Sequence, residues 1–204
     1  LYDLLFERTN GAQDRQHGDA LWYAEPHVLA LQLIVERVSK RSFVDLLSDR
    51  IWSKLGAEQN GAAILDCLGT ASNGTGLCFA ARDLARFGQM ILDKGRVGET
   101  QVIPESFVED MLQNPNEANV NPSSNMWGGS APGAGYRSLF WTGPNDSPSK
   151  PFLDAVGFYS QHVFIDPVRK VVIAKFSTLP KLPEITNDFL ALCSLCRSIG
   201  EVGS

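Results

Sequence analysis

Two short β-rich runs near the C-terminus constrain the fold more than any other part of this sequence. Residues 161–165 and 171–176 are rich in Val, Ile and Phe, and a polar segment at 166–170 that contains Pro167 separates them. Runs of this length around such a turn are typical of a β-hairpin. An apolar stripe over about 187–199 predicts a helix directly after it.

Apolar residues at intervals of three or four positions predict four further helices ahead of the hairpin. In chain order, these helices follow Pro26, open at Ser42, cover about 81–94, and begin at Pro104. Ser42 is followed three residues later by Asp45, a pair similar to a capping box. Gly95 suits the end of the third helix, because glycine readily adopts the left-handed conformation found there.

Residues 114–151 differ from the rest of the chain in being rich in Pro, Gly, Asn and Ser. A structureless loop of this length is uncommon inside a compact domain. The segment is therefore either an excursion that faces a substrate or a region that contains short strands.

Charge and apolar content exclude several classes of function. The formal net charge is −5, and Lys and Arg are scattered, which argues against a nucleic-acid partner. No window approaches the roughly 18 apolar residues of a membrane span, so we expect no membrane partner. The three histidines lack metal-ligand spacing, and the sequence indicates neither a metal nor another cofactor.

The four cysteines predict thiols rather than a metal or redox site. Cys193 and Cys196 form a C-x-x-C pair inside a helical stretch, whereas a redox pair would lie at a helix N-terminus. Cys67 and Cys78 do not have the spacing of a second zinc pair. We therefore expect buried free thiols in a reducing compartment, which favours the cytoplasm.

Four strings in a fixed order carry a family resemblance. They are W-Y-A-E-P at 22–26, I-W-S-K-L-G-A-E at 51–58, A-R-D-L-A-R-F-G at 81–88 and G-F-Y-S-Q at 157–161. In combination they resemble the serine β-lactamase-like hydrolases, which include class C β-lactamases, penicillin-binding proteins, family VIII esterases and 6-aminohexanoate-dimer hydrolases. The second and third strings look most like the esterase and dimer-hydrolase branch.

The resemblance implies an α/β fold of the β-lactamase/transpeptidase type, in which helices flank an antiparallel sheet beside a helical region. It implies that residues 1–204 form the C-terminal portion of one domain. Within that portion we expect a mainly helical region at about 20–113, the Gly- and Pro-rich excursion at 114–160, and the hairpin with the C-terminal helix at 161–199.

The resemblance also assigns a catalytic role to Tyr23. In this family the serine of a Ser-x-x-Lys motif is acylated, the lysine activates it, and the tyrosine of a Tyr-x-Asn motif relays the proton. A nearby ammonium helps a phenol to act in this way, because a free phenol ionises only near pH 10. Without the resemblance, Tyr23 would be interpreted as a half-buried aromatic residue ahead of a helix.

Glu25 departs from the family pattern, which has Asn at that position. A carboxylate there is expected to repel both a phenolate and substrate carboxylates. Glu25 therefore puts lactam-type recognition in doubt more than the hydrolysis of esters or amides.

Tyr159, Ser160 and Gln161 occupy the place where the family builds part of its oxyanion hole. Dimer-hydrolase relatives look like x-x-Gly-Gln here, so the side chain of Ser160 is expected to narrow the site. Simple strand entry before the hairpin is an equally good interpretation. Trp141 and Tyr136 could form the wall of an apolar substrate pocket, although core packing explains them as well.

The family's Ser-x-x-Lys motif is the missing part. The one such string, S-P-S-K at 147–150, lies downstream of Tyr23 and contains Pro148, which makes it a poor helix interior. Because the chain begins with Leu1 rather than Met, we expect an absent N-terminal segment or subunit to carry the motif. The chain is then part of a serine hydrolase for small ester or amide substrates, with a catalytically inactive binding protein or an interaction module as alternatives.

Overall fold

The computed structural model describes residues 23–74, 76–113, 135–143, 151–179 and 182–202. The described helices are α1 (Glu25–Ser39), α2 (Phe43–Arg50), a short 3₁₀ turn (Trp52–Lys54), α3 (Ala81–Leu92), α4 (Glu105–Gln113) and α5 (Leu182–Val202). The described strands are β1 (Ala62–Ala63), β2 (Leu77–Cys78), β3 (Arg96–Val97), β4 (Thr100–Gln101), β5 (Gly135–Arg137), β6 (Phe140–Gly143), β7 (Phe152–Gly157), β8 (Gln161–Asp166) and β9 (Val171–Lys175).

Strands β5 to β9 form one antiparallel sheet in chain order, while β1 pairs with β2 and β3 with β4. The predicted hairpin is confirmed as β8 and β9, in which Asp166 pairs with Val171. The sheet continues beyond this hairpin, because β7 pairs with β8 from Leu153 to Gly157, and β5 and β6 lie within residues 114–151. The Gly- and Pro-rich segment therefore contains short strands.

The sheet carries a hydrophobic core on each face, because neighbouring strand residues point to opposite sides. Leu153, Val163 and Ile165 join the core under α3 and α4. Phe152, Phe164 and Trp141 join the second core, under α5. This two-sided burial agrees with the predicted arrangement of an antiparallel sheet flanked by helices.

Gly88 allows α3 to lie directly on the sheet. A Cβ atom at this position would come within 2.5 Å of Val172 Cγ1 and 3.2 Å of Val163 Cγ1. A glycine in a helix interior costs about 1 kcal/mol of stability relative to alanine. The close contact between α3 and the sheet explains why glycine occupies this position despite that cost. The position of α3 in turn places Leu84 beside the end of β7.

The helix boundaries largely follow the predicted signals. Ser42 is the N-cap of α2, and its hydroxyl accepts the Asp45 backbone N–H at 3.1 Å. Helix α3 ends at Leu92, two residues before the predicted position, and Gly95 follows with a φ of 81°. Helix α5 is longer than predicted at both ends.

Helices α1 and α5 each leave large apolar side chains uncovered. On α1 these are Leu31, Ile34, Val35 and Val38, and on α5 they are Leu190, Leu195 and Ile199. Strand β9 is the last strand of its sheet. No helix in the described part of the chain combines the length and the apolarity that a bilayer crossing requires.

Candidate active-site groove

A groove of about 700 Å³ lies between the β2 region, α3 and the end of the five-stranded sheet. Its large apolar and aromatic lining residues include Leu77, Phe79, Leu84, Tyr159 and Phe176. Every described residue that lines the groove is uncharged, and Gly74, Gly76 and Gly157 are among them. The groove can therefore take a neutral, largely apolar group against exposed backbone.

The turn at 158–160 forms the rim of this groove. It connects β7 to β8, and Gly157 pairs with Gln161 across it. Tyr159 and Ser160 both have left-handed backbone conformations, with φ values of 59° and 65°. This conformation is uncommon for residues with a Cβ atom, so neighbouring contacts must hold the turn in place.

Tyr159 and Gln161 lie where the sequence predicts site residues, but Gln161 is already engaged. Tyr159 is largely exposed at the groove. The Gln161 side chain donates from Nε2 to the Ser177 carbonyl at 2.5 Å and accepts the Ser177 N–H at Oε1, at 3.1 Å. Gln161 thus lines the groove while it fixes the chain that leaves β9.

The expectation that the side chain of Ser160 narrows the groove is wrong. Its side chain is fully buried on the α5 side of the sheet. The Ser160 hydroxyl donates to Asp188 Oδ2 at 2.6 Å and lies 2.9 Å from His162 Nε2. The left-handed backbone of the turn directs the side chain away from the groove.

A buried pair that the sequence did not reveal, Asp154 and His162, adjoins Ser160. His162 Nδ1 lies 2.9 Å from Asp154 Oδ2, and both side chains are fully enclosed. Burial raises the pKa of the Asp154 carboxyl, against the lowering effect of His162. Asp154 Oδ1 has no hydrogen-bond partner among the described residues.

Lys175 and Asp188 extend this buried group toward the surface. Lys175 Nζ donates to Asp188 Oδ2 at 2.5 Å and to the Ser160 carbonyl at 3.3 Å. Burial acts to raise the pKa of Asp188, but the hydrogen bonds from Lys175 and Ser160 outweigh it and hold the pKa below its usual range. Asp188 therefore stays ionised at neutral pH and accepts from both donors.

Tyr23 lies in an aromatic cluster rather than on the wall of the groove. Its ring centroid is 5.7 Å from that of Tyr136 and 5.6 Å from that of Trp141. The side chain is still 45% exposed, so a second molecule or segment can reach it. Burial, and then the charge of Glu25, raises the pKa of Tyr23.

The predicted roles of Glu25 and Trp141 have different outcomes. The side chain of Glu25 lies against Gly74, where a Cβ atom would meet Glu25 Oε1 at 2.9 Å, so Glu25 borders the groove. Its effect on Tyr23 has the predicted sign. Trp141 is only 1% exposed and packs in the core under α5, which is the core packing that the sequence allowed as the alternative to a substrate wall.

The cysteines only partly match the prediction. Cys196 is buried and Cys193 is half-buried on α5, and burial raises their pKa values to about 11 and about 12. Cys67 and Cys78 are exposed, and Cys78 lines the groove, so the expectation that the thiols are buried is wrong for these two. Within the described ranges, no group of His, Cys, Asp and Glu side chains is arranged to hold a metal ion.

Comparison with known proteins gives concordant matches. A family model described as Beta-lactamase matches residues 8–192. A 6-aminohexanoate-dimer hydrolase from Paenarthrobacter ureafaciens is 28% identical over 158 residues, which is 78% of this chain and 39% of that protein. A solved structure from Bacillus anthracis, described as a 6-aminohexanoate-dimer hydrolase, is 26% identical with a TM-score of 0.81, over 98% of this chain and 49% of that one.

A more distant solved structure supports the fold alone. It is described as a β-lactamase from Bacteroides dorei, is 17% identical with a TM-score of 0.67, and covers 93% of this chain and 63% of its own. The predicted fold type is confirmed by these matches. The chain spans less than half the length of the two dimer-hydrolase relatives. The Ser-x-x-Lys string at 147–150 lies outside the described residues.

Proposed function

Because the chain belongs to the β-lactamase family, we propose that it is the tyrosine-bearing part of a serine hydrolase that cleaves ester or amide bonds through an acyl-enzyme. The observation that carries the proposal is the uncharged groove at the end of β7, bordered by backbone and by Glu25. The description of the Paenarthrobacter relative as a dimer hydrolase supports a hydrolytic reaction.

The nucleophile and its lysine come from a Ser-x-x-Lys segment outside these 204 residues in this proposal. Tyr23 relays the proton between that serine and the leaving group. In the described chain, burial and Glu25 raise the pKa of Tyr23, which opposes the relay. A lysine ammonium brought to the exposed edge of Tyr23 would offset both effects.

The uncovered faces of α1 and α5 support the same arrangement. Their apolar side chains, among them Ile34 and Val38 on α1, are exposed in the described structure. Contiguous apolar surface of this kind is commonly covered by another segment. We propose that the segment that carries Ser-x-x-Lys packs against these faces and so reaches Tyr23.

The backbone around Ser160 and Gln161 contributes to the oxyanion site in this proposal. The turn that contains Ser160 and leads into Gln161 is at the rim of the groove, and Gly157 leaves the backbone uncovered there. Preorganised N–H groups stabilise the charge that develops on the substrate oxygen. The side chain of Ser160 takes no part, because it points to the other face.

The expected substrates are small and neutral. Among the residues that the structure describes, none that lines the groove is charged, and Glu25 at its border repels a substrate carboxylate. Neutral esters and amides therefore fit better than substrates that need a cation for recognition.

The test uses an extended polypeptide, which contains these 204 residues together with the preceding segment that carries Ser-x-x-Lys. Its hydrolysis of p-nitrophenyl butyrate is measured. We expect Tyr23→Phe to lower kcat by about 100-fold or more, in the range of a lost general acid–base group. Tyr136→Phe is the matched control, because it removes a hydroxyl from the same aromatic cluster, and it should change kcat by less than about threefold.

Equal effects of the two substitutions would contradict the relay. Complete absence of hydrolysis in the extended polypeptide would favour the alternative of a catalytically inactive binding protein.

A further inference from the structure

Five polar side chains form one continuous line of hydrogen bonds that the proposed reaction does not use. In order, they are Asp154 on β7, His162 on β8, Ser160 in the turn, Asp188 on α5 and Lys175 on β9. Three of the five are fully buried, and buried polar groups in such lines are costly unless each finds a partner.

The donor and the acceptor in each hydrogen bond can be assigned by starting from Asp188. Asp188 is ionised and can only accept, so the Ser160 hydroxyl donates to it at 2.6 Å. A hydroxyl has one hydrogen, so Ser160 Oγ must accept from His162, which makes His162 Nε2 a donor. His162 Nδ1 then shares a single proton with Asp154 Oδ2 across 2.9 Å.

The arrangement is compatible with the low-dielectric interior. A proton shared between Asp154 and His162 leaves that pair without net charge, which the buried position favours. The unpartnered Asp154 Oδ1 costs less as a carbonyl oxygen than as part of a carboxylate. Lys175 and Asp188 at the other end neutralise each other, and the half-buried Cys193 is one further titratable group near Asp154.

Ser160, His162 and Asp154 contact one another in the same order as a Ser-His-Asp triad, but they cannot act as one. The Ser160 side chain is fully enclosed, so no substrate carbonyl can approach it. Its proton points to Asp188, and His162 donates to the hydroxyl oxygen instead of accepting from it. A nucleophilic serine needs the opposite hydrogen-bond direction.

We propose that this line of hydrogen bonds is a positioning device that holds the 158–160 turn and thereby sets the place of Tyr159 at the rim of the groove. Ser160 and His162 are its central positioning residues. The line ties the left-handed Ser160 to β7 and β8 on one side, and to α5 and β9 on the other. The consequence for substrate rests on the proposed function of the groove, whereas the hydrogen-bond arrangement does not.

The first experiment determines the protonation of His162 in the 204-residue chain by long-range ¹H–¹⁵N NMR. The chain has three histidines, so replacing His17 and His27 with Asn leaves the His162 ring as the sole source of signal. We expect a proton on Nε2 at neutral pH. The same pattern should persist in Asp154→Asn, because the amide N–H₂ can donate to Nδ1. A ring protonated only on Nδ1 would overturn the proposed line.

The second experiment measures amide hydrogen exchange at 158–161 under native conditions. Ser160→Gly removes the hydroxyl and relieves the left-handed backbone, so a faster exchange cannot be attributed to new backbone strain. We expect an increase of about tenfold, which corresponds to one lost hydrogen bond. Ser138→Gly is the matched control, because Ser138 is left-handed (φ 49°) in the β5–β6 turn of the same sheet, and it should not accelerate exchange at 158–161.

The consequence for the groove is read in the extended polypeptide. There, Ser160→Gly should lower kcat/KM for p-nitrophenyl butyrate several-fold, because the loosened turn carries both Tyr159 and the backbone proposed for the oxyanion site, whereas Ser138→Gly should leave kcat/KM within about twofold. An unchanged exchange rate at 158–161 would overturn the positioning role even if hydrolysis occurs. Faster exchange together with no hydrolysis in any variant would leave the positioning role standing and count against the proposed function.

Discussion

Adding one methyl group at Gly88 should weaken the packing of α3 on the sheet. The new Cβ would lie 2.5 Å from Val172 Cγ1, 3.2 Å from Val163 Cγ1 and 3.6 Å from Ile165 Cγ1. These atoms belong to stiff β-branched side chains, so relief requires movement of backbone. Overpacking of this kind costs about 1–3 kcal/mol. Alanine regains about 1 kcal/mol of helix propensity, so Gly88→Ala should destabilise the fold by about 0–2 kcal/mol.

A double-mutant cycle with Val172→Ala separates the two contributions. Val172→Ala removes the atom at 2.5 Å, so in that background Gly88→Ala should stabilise the fold by about 1 kcal/mol, the gain in helix propensity. The coupling energy is then about 1–3 kcal/mol. Urea unfolding followed by circular dichroism measures each corner of the cycle. Coupling near zero would refute the close approach of α3 to β9.

Three further predictions concern single side chains. Ser42→Ala removes the N-cap of α2 and should lower the free energy of unfolding by about 1 kcal/mol in urea titrations, while an unchanged midpoint would contradict the cap. Glu25→Gln should lower the pKa of Tyr23, because one of its two raising causes disappears, and Tyr ¹³Cζ NMR titration would show no shift if the two groups do not interact. The Glu58 backbone N–H, with further donors, lowers the pKa of Asp83. The ionised carboxylate therefore stabilises the fold above about pH 4, and this stabilisation is lost as the pH falls through the folded-state pKa of Asp83. Asp83→Asn should therefore lower Tm at neutral pH and flatten its fall between pH 5 and pH 2, whereas an unaltered acid profile would contradict the assignment.

The helices and the last hairpin were predictable because their signals are local. Helical spacing after Pro26, the Ser42 cap and the alternating runs at 161–165 and 171–176 depend only on neighbours in the sequence. Strands β5 and β6 were harder to predict, because they are short and flanked by Gly, Pro and Ser. The aromatic residues of β5 and β6 favour a strand only when they pack against a neighbouring strand, so they indicate one only when that partner is known.

The buried hydrogen-bond line was not predictable, because it depends on register and on turn geometry. Asp154 and His162 lie on the same face because Val156 pairs with His162, and the sequence alone does not specify that pairing. Ser160 and His162 are two residues apart, which could have suggested a shared face. The related dimer hydrolases have glycine at the position of Ser160. Because glycine has no side chain, the family pattern does not indicate which face of the sheet a serine side chain would occupy, and we expected it to face the substrate.

We propose that Tyr23 serves a nucleophile carried by a Ser-x-x-Lys segment outside these 204 residues. Intact mass spectrometry after treatment with a fluorophosphonate tests it most directly. We expect no adduct on the 204-residue chain, and one adduct per molecule, on the serine of Ser-x-x-Lys, when the preceding segment is present. A stoichiometric adduct on the 204-residue chain itself, at Ser160 or at Ser147, would contradict the claim.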